Sequence, residues 1–299
     1  MNIRRVMGSS GIGVALLCCS LSVFAQPTPG SWPPPKVLQI YREEIKPGKG
    51  AAHEQVEAGW PKAFAKANWP TNYLAITSST GPSEAWFLAG FESLEAWEKD
   101  SRNVEKNPAL RKELQQLEAR DGELRSGGRS VVALYREDLS YQPNVDIPKM
   151  RYFRIITFRV RQGHDTQFAD AVKIVRPAFE KASIPAHWAI YQIYAGMPAP
   201  TYLLFIPTKS LAEADAAIAS APALQQAEGE DGVKKLQTIA SDAFNSVETN
   251  IFEFNAKMSY PSKQWADEDP DYWRPKAAPA VKSEPKKPAA KAEKKSGNS

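Results

Sequence analysis

The feature that most narrows what this chain can become is that much of it is written twice. Residues Ala63 to Pro70 read AFAKANWP and residues Ala178 to Pro185 read AFEKASIP, five matches in eight at a spacing of 115 residues. The same spacing carries Gly48 onto Gly163, Gly81 onto Gly196, and the β-branched and aromatic run VLQIYREEI onto YFRIITFRV. A fixed offset across turn glycines, a helix and a strand marks an internal duplication. Such a chain builds two similar units and must then bury whatever face neither unit covers alone.

Within each copy the punctuation predicts the same order of elements. Val37 to Ile45 reads as a strand closed at Lys46-Pro47-Gly48. A helical pattern follows, with Val56, Trp60, Ala63, Phe64 and Ala67 on one face, matched by Phe168, Ala171, Val172, Val175, Phe179 and Ala182. Pro61 and Pro177 fall inside these patterns, and an interior proline removes a backbone hydrogen bond, so a bend or break is expected in both. Two strands joined across Gly81-Pro82 come next, Tyr73 to Ser78 and Glu84 to Phe91; Trp188 to Tyr194 and Tyr202 to Ile206 are their counterparts. Ser93 and Ser210 offer helix N-caps, the second with Glu213 in capping-box position. Further helix starts carry Pro108 and Pro222, and Val131 to Arg136 and Val247 to Phe254 close the copies as strands.

The predicted fold class is therefore α+β. Two tandem ferredoxin-like (β-α-β-β-α-β) repeats, residues 36–142 and 150–261, each make an antiparallel sheet with helices on one face. The aromatic and branched strand residues leave little polar surface on the other face. The two sheets are expected to pack against each other as an intrachain pseudo-dimer, one barrel-like body with a space between the sheets.

The flanks read differently. Arg4, Arg5, the apolar run Val6 to Leu21 and Val23-Phe24-Ala25 predict a signal peptide over residues 1–25, hence an exported protein, periplasmic or extracellular. No transmembrane segment is expected after cleavage, and both cysteines, Cys18 and Cys19, would leave with the signal. Residues 26–35 (QPTPGSWPPP) form a proline-rich linker. Residues 262–299 begin with an acidic-aromatic segment, WADEDPDYW, and continue as a Lys/Ala/Pro tail too poor in apolar residues to order itself. Setting aside Arg4, Arg5 and the tail from Lys276 leaves 29 basic against 32 acidic residues. A mildly acidic body argues against a nucleic-acid partner, while the basic tail suits weak contact with anionic surfaces.

The opening Tyr41-Arg42-Glu43-Glu44-Ile45-Lys46-Pro47-Gly48-Lys49, followed by a helix carrying Trp60, resembles the start of NIPSNAP-type domains. Phe158-Arg159-Val160-Arg161-Gln162-Gly163-His164 is a similar stretch without the proline. The resemblance covers residues 36–142 and 150–261 and implies the dimeric α+β barrel superfamily. That superfamily includes cofactor-free monooxygenases, haem proteins, isomerases and binding proteins, so it implies a fold and leaves the activity open.

The residues themselves supply few chemical motifs. No HExxH, CxxC, EF-hand, GxSxG or glycine-rich phosphate loop is present, and no metal site or obligatory cofactor is expected, haem staying open. His53, beside Glu54 and Glu57, and His164 are expected to face solvent. His187 opens a strand with Trp188, Tyr191 and Tyr194; it is the candidate general base or haem ligand, against a plain role bonded to backbone. Tyr73, Trp86, Trp188 and Tyr191, with Arg42 and Arg154 on the first strands, are the candidate ligand-binding residues. The expected function is binding of a small aromatic or apolar molecule between the sheets. The alternatives are cofactor-independent oxygenation or isomerisation of such a molecule, or a structural or interaction role.

Overall fold

The computed structural model describes residues 32–274. The expected signal segment, the first part of the linker and the lysine-rich tail lie outside the described residues. The first half comprises β1 (Val37–Ile45), α1 (Gly50–Glu57), α2 (Gly59–Lys66), β2 (Tyr73–Ser78), β3 (Glu84–Phe91), α3 (Leu94–Glu105), α4 (Pro108–Asp121) and β4 (Arg125–Tyr135). The second comprises β5 (Tyr152–Val160), α5 (Asp165–Lys181), β6 (Ala189–Ala195), β7 (Thr201–Thr208), α6 (Leu211–Ala219), α7 (Ala221–Ala243) and β8 (Phe244–Phe254). Two short helices, α8 (Lys263–Glu268) and α9 (Pro270–Trp273), follow.

Local chemistry explains the breaks. The turns after β1 and β5 place Gly48 at φ 75° and Gly163 at φ 85°, a left-handed conformation that glycine adopts without steric cost. The two helix prolines are handled differently. Pro61 stands in the first turn of α2, after a break at Ala58, where its missing N–H is not needed; Pro177 stays inside the continuous α5. Ser93 and Asn107 cap α3 and α4 through Ala96 and Leu110 N–H groups, each at 3.1 Å. The capping box expected at Ser210 does not form: the Ser210 hydroxyl makes no cap bond, and Glu213 accepts instead from the N–H of Lys209, one residue before the cap, at 2.9 Å.

The sheets do not stack across a gap. They join edge to edge into one closed antiparallel barrel in the order β1-β3-β2-β8-β5-β7-β6-β4. The seams are β2 with β8, where Ile76 faces Phe254, and β4 with β6, where Tyr135 faces Tyr191. Pairing the outer strands of both halves removes every free sheet edge. Eight strands enclose an interior about wide enough for side chains to fill. Ile40, Ile76, Trp86, Val131, Ile155, Leu203 and Phe252 fill it, each at most 2% exposed, with Trp86 and Phe252 rings 4.6 Å apart. The expected space between sheets is thus occupied at the waist and survives only at the two mouths.

Helices cover the outside of the barrel, and α8 and α9 fold back over one mouth. There Trp273 Nε1 donates to the Pro148 carbonyl at 2.8 Å, and Trp265 packs edge-on against Trp32 and Trp273. Among the described residues no helix is long and apolar enough to cross a membrane.

Candidate functional site

Strand alternation decides what each mouth offers, because every second residue of a strand faces the barrel interior. At the mouth beneath α8 and α9, Leu38, Leu74, Leu88, Phe153, Tyr191 and Phe205 line a cavity of about 490 Å³. Pro33, Pro34, Pro35 and Trp265 form part of its wall. Few polar groups reach it. Tyr191 Oη donates to the Pro35 carbonyl at 3.1 Å, and burial holds its phenol well above the usual range, so it stays neutral. His187 also lines this cavity, with Nε2 2.8 Å from the Pro207 carbonyl. A carbonyl only accepts, so Nε2 carries the hydrogen and Nδ1 is the acceptor of the neutral ring.

At the opposite mouth a cavity of about 320 Å³ is charged. Arg42 Nη2 donates to both Glu84 oxygens, at 3.0 and 3.1 Å, and its guanidinium lies 4.2 Å from the Trp86 ring centroid. Trp86 Nε1 donates to Glu84 Oε2 at 2.7 Å. Cation, carboxylate and indole therefore satisfy one another within the wall of this cavity.

The residues expected to form one site are divided. Tyr73, His187, Trp188 and Tyr191 border the apolar cavity; Arg42 and Trp86 border the charged one. Tyr73 and Trp188 only touch the rim. Tyr73 packs outward against Phe64, Phe87 and Tyr260. Trp188 packs against Tyr141 and Phe179 with Nε1 bonded to the Leu139 carbonyl at 3.0 Å. Arg154 lines neither cavity: it lies one residue out of step with Phe153 and Ile155, on the outer face of β5. There burial lowers its guanidinium from the ordinary arginine value.

His53 is a correction. It does not face solvent but is 2% exposed, with Nε2 2.7 Å from Glu43 Oε2 and 3.3 Å from Asp121 Oδ1. Glu57 joins them, and one ligand atom from each of Glu43, His53, Glu57 and Asp121 lies within 4.8 Å of the others. Arg125 closes the set from behind, 3.0 Å from Glu43 Oε1 and 2.6 Å from Asp121 Oδ2. Burial, reinforced by the charges of Glu43 and Asp121, pushes the Glu57 carboxyl up to about 9, and burial raises Asp121 as well. These side chains could together hold a metal ion, although no linear motif joins them. His53 and Glu57 at i and i+4 on α1 were one sequence signal of the cluster, while Glu43 and Asp121 join through the fold.

No family model and no curated protein matches the chain at the sequence level. Among solved structures, an anthrone oxidase-like protein is 14% identical over 76% of this chain and 95% of its own, with a TM-score of 0.50. A candidate monooxygenase from Fusobacterium nucleatum subsp. nucleatum is 13% identical over 73% and 91%, with a TM-score of 0.46. A chlorite dismutase variant from Candidatus Nitrospira defluvii is 8% identical over 78% and 95%, with a TM-score of 0.40. Such likeness speaks to fold alone: this chain is an α+β protein with a closed eight-stranded antiparallel barrel, the architecture of the dimeric α+β barrels.

Proposed function

We propose that the chain binds a small apolar or aromatic organic molecule in the mouth lined by Leu38, Leu88, Phe153, Tyr191 and Phe205. The observation that carries this reading is the cavity itself, about 490 Å³ and walled mostly by hydrocarbon. Pockets for small organic ligands run from about 300 to 1,000 Å³ with a few placed polar groups, which His187 and Tyr191 supply here. The charged mouth, whose Arg42 and Glu84 neutralise each other, is the weaker host.

A turnover reading has one specific support. The Pro207 carbonyl ties up His187 Nε2 and leaves Nδ1 as the proton acceptor of a cavity-lining imidazole. Tandem ferredoxin-like ancestry for the halves is supported by the 115-residue spacing and the repeated order of elements. Kinship with NIPSNAP-type domains rests on the Tyr41 to Lys49 stretch, and export on the character of residues 1–25.

Titration of the purified chain with the fluorescent probe N-phenyl-1-naphthylamine tests the binding reading. Saturable enhancement is expected, with affinity reduced about tenfold or more in Ala189→Phe, whose ring would fill the cavity. No saturable enhancement, or equal affinity in the variant, would contradict it. For the turnover reading, candidate substrates should be consumed by the wild type and spared by His187→Gln.

A further inference from the structure

The sheet layer beneath α1 and α4 can be compared with its own copy. Residues 115 positions beyond Glu43, His53 and Glu57 are Phe158, Phe168 and Val172. Arg125, which pairs with Ile45, is matched by Phe244, which pairs with Val160 in the same way. In the second half these become an aromatic cluster: Phe158 lies 5.2 Å from Phe168 and 5.4 Å from Phe244, centroid to centroid. The fold therefore completes this layer with hydrocarbon where nothing else is asked of it. Exchanging a buried ionic set for packed hydrocarbon is commonly neutral or stabilising, so stability does not account for the polar version.

The polar version is also incomplete as it stands. Three carboxyl groups, of Glu43, Glu57 and Asp121, face the Arg125 guanidinium and the His53 imidazole. Glu57 is 3% exposed and its Oε1 accepts no hydrogen bond, while the fully buried Asp121 is held by ion-pair contacts alone, Arg125 Nε at 2.6 Å and His53 Nε2 at 3.3 Å. A buried carboxylate oxygen without a donor is a costly arrangement unless a cation completes it.

We infer that Glu43, His53, Glu57 and Asp121 form a binding site for a divalent first-row transition ion of the manganese-to-zinc series. A dication would bring three carboxylates and Arg125 to local neutrality. Three oxygen donors with one imidazole nitrogen suit such ions; the absence of thiolate from the set disfavours softer ones, and the imidazole disfavours magnesium and calcium. Ligand atoms at the corners of a tetrahedron with bonds of about 2.0–2.1 Å stand about 3.3 Å apart. His53 Nε2 and Asp121 Oδ1 already stand at 3.3 Å, and the 2.7 Å contact of His53 with Glu43 would open to admit the ion. Arg125 holds Glu43 Oε1 and Asp121 Oδ2, so that Glu43 Oε2 and Asp121 Oδ1 turn toward His53, the orienting role that outer partners play around metals. With four protein ligands and no exposed position, the ion is structural: it pins α1 and the end of α4 to β1.

The test uses the untagged full chain, stripped with a chelator and titrated calorimetrically with Zn²⁺ and with Mn²⁺. The expected result is one ion per chain for at least one metal, with a melting temperature that climbs as free metal exceeds the dissociation constant. Glu57→Gln keeps the shape but removes a charge; it should weaken binding about tenfold or more without lowering the metal-free melting temperature. Co²⁺ provides an independent readout, a visible d–d band that His53→Gln should alter. The inference is overturned if neither ion produces heat or a melting shift in the wild type. It is equally overturned if Glu57→Gln binds as tightly as the wild type, which would move the ion elsewhere in the chain.

Discussion

At one end of the barrel β1 and β3 present Leu38 and Leu88; four residues along the same strands, on the same inward face, they present Arg42 and Glu84. About 13 Å of strand therefore separates a hydrocarbon mouth from an ionic one. The ionic end is self-complementary, since Arg42, Glu84 and Trp86 meet each other's hydrogen-bonding and charge requirements. The apolar end is different: its leucines and aromatics surround space that no side chain fills. Barrel closure forces interior rows to be continuous, so function is written where a row runs out, and only the apolar end offers a mostly hydrocarbon wall to a ligand.

The largest effect should come from breaking the ionic group at the charged end. Arg42→Leu strands the Glu84 carboxylate, 9% exposed, and should cost about 2–4 kcal/mol in urea unfolding, less than a fully buried pair because Arg42 keeps 21% exposure. Adding Glu84→Leu should recover part of that loss. A single-variant cost below about 0.5 kcal/mol would mean the two ends do not differ as described.

At the apolar mouth Leu88→Ala should cost about 2–3 kcal/mol, the low end for a buried leucine, since the deleted atoms already border a cavity. It should leave the ionic end intact and admit bulkier ligands, a pairing that unfolding and probe titration would reveal together. A smaller effect concerns the cover of that mouth. Tyr272 donates its hydroxyl to the Phe254 carbonyl, and burial pushes its phenol up to about 12 against the pull of Arg151. A folded value above the unfolded one means the stabilisation is complete below pH 10 and is lost as pH rises from 10 to about 12. Wild type should lose about 1 kcal/mol more than Tyr272→Phe across that window, a value reduced for partial exposure. The smallest effect is Arg154→Leu, which should leave probe affinity unchanged within about twofold, as Arg154 faces away from both mouths.

Much of this layout was legible in the residues. The 115-residue offset and the turn glycines announced two similar units, and the period of two already separated the arginines. Arg154 falls 115 residues beyond Gln39, and Gln39 and Arg42 sit on opposite faces of β1. Reading both arginines inward ignored that parity. That the halves form one barrel was legible in the apolar strand faces and the family resemblance; that it closes by β2 pairing with β8 and β4 with β6 was not, because nothing local distinguishes sheets that stack from sheets whose outer strands pair. The buried set at His53 was hidden for a similar reason. Its members are brought together from β1, α1 and α4, and an isolated helix-start histidine beside glutamates looks like a solvated face. Besides the i, i+4 spacing of His53 and Glu57, the contrast with Phe158, Phe168 and Val172 at the 115-residue offset was a sequence signal that could have revealed it.

The central claim is that ligand occupies the hydrocarbon mouth and not the ionic one. Crystals of the chain grown with a bromonaphthalene and measured at the bromine absorption edge test it directly. The account predicts anomalous density among Leu38, Leu88, Phe153 and Phe205, and none beside Arg42 and Glu84. Density confined to the Arg42 end, or found only on the outer surface of the barrel, would contradict it.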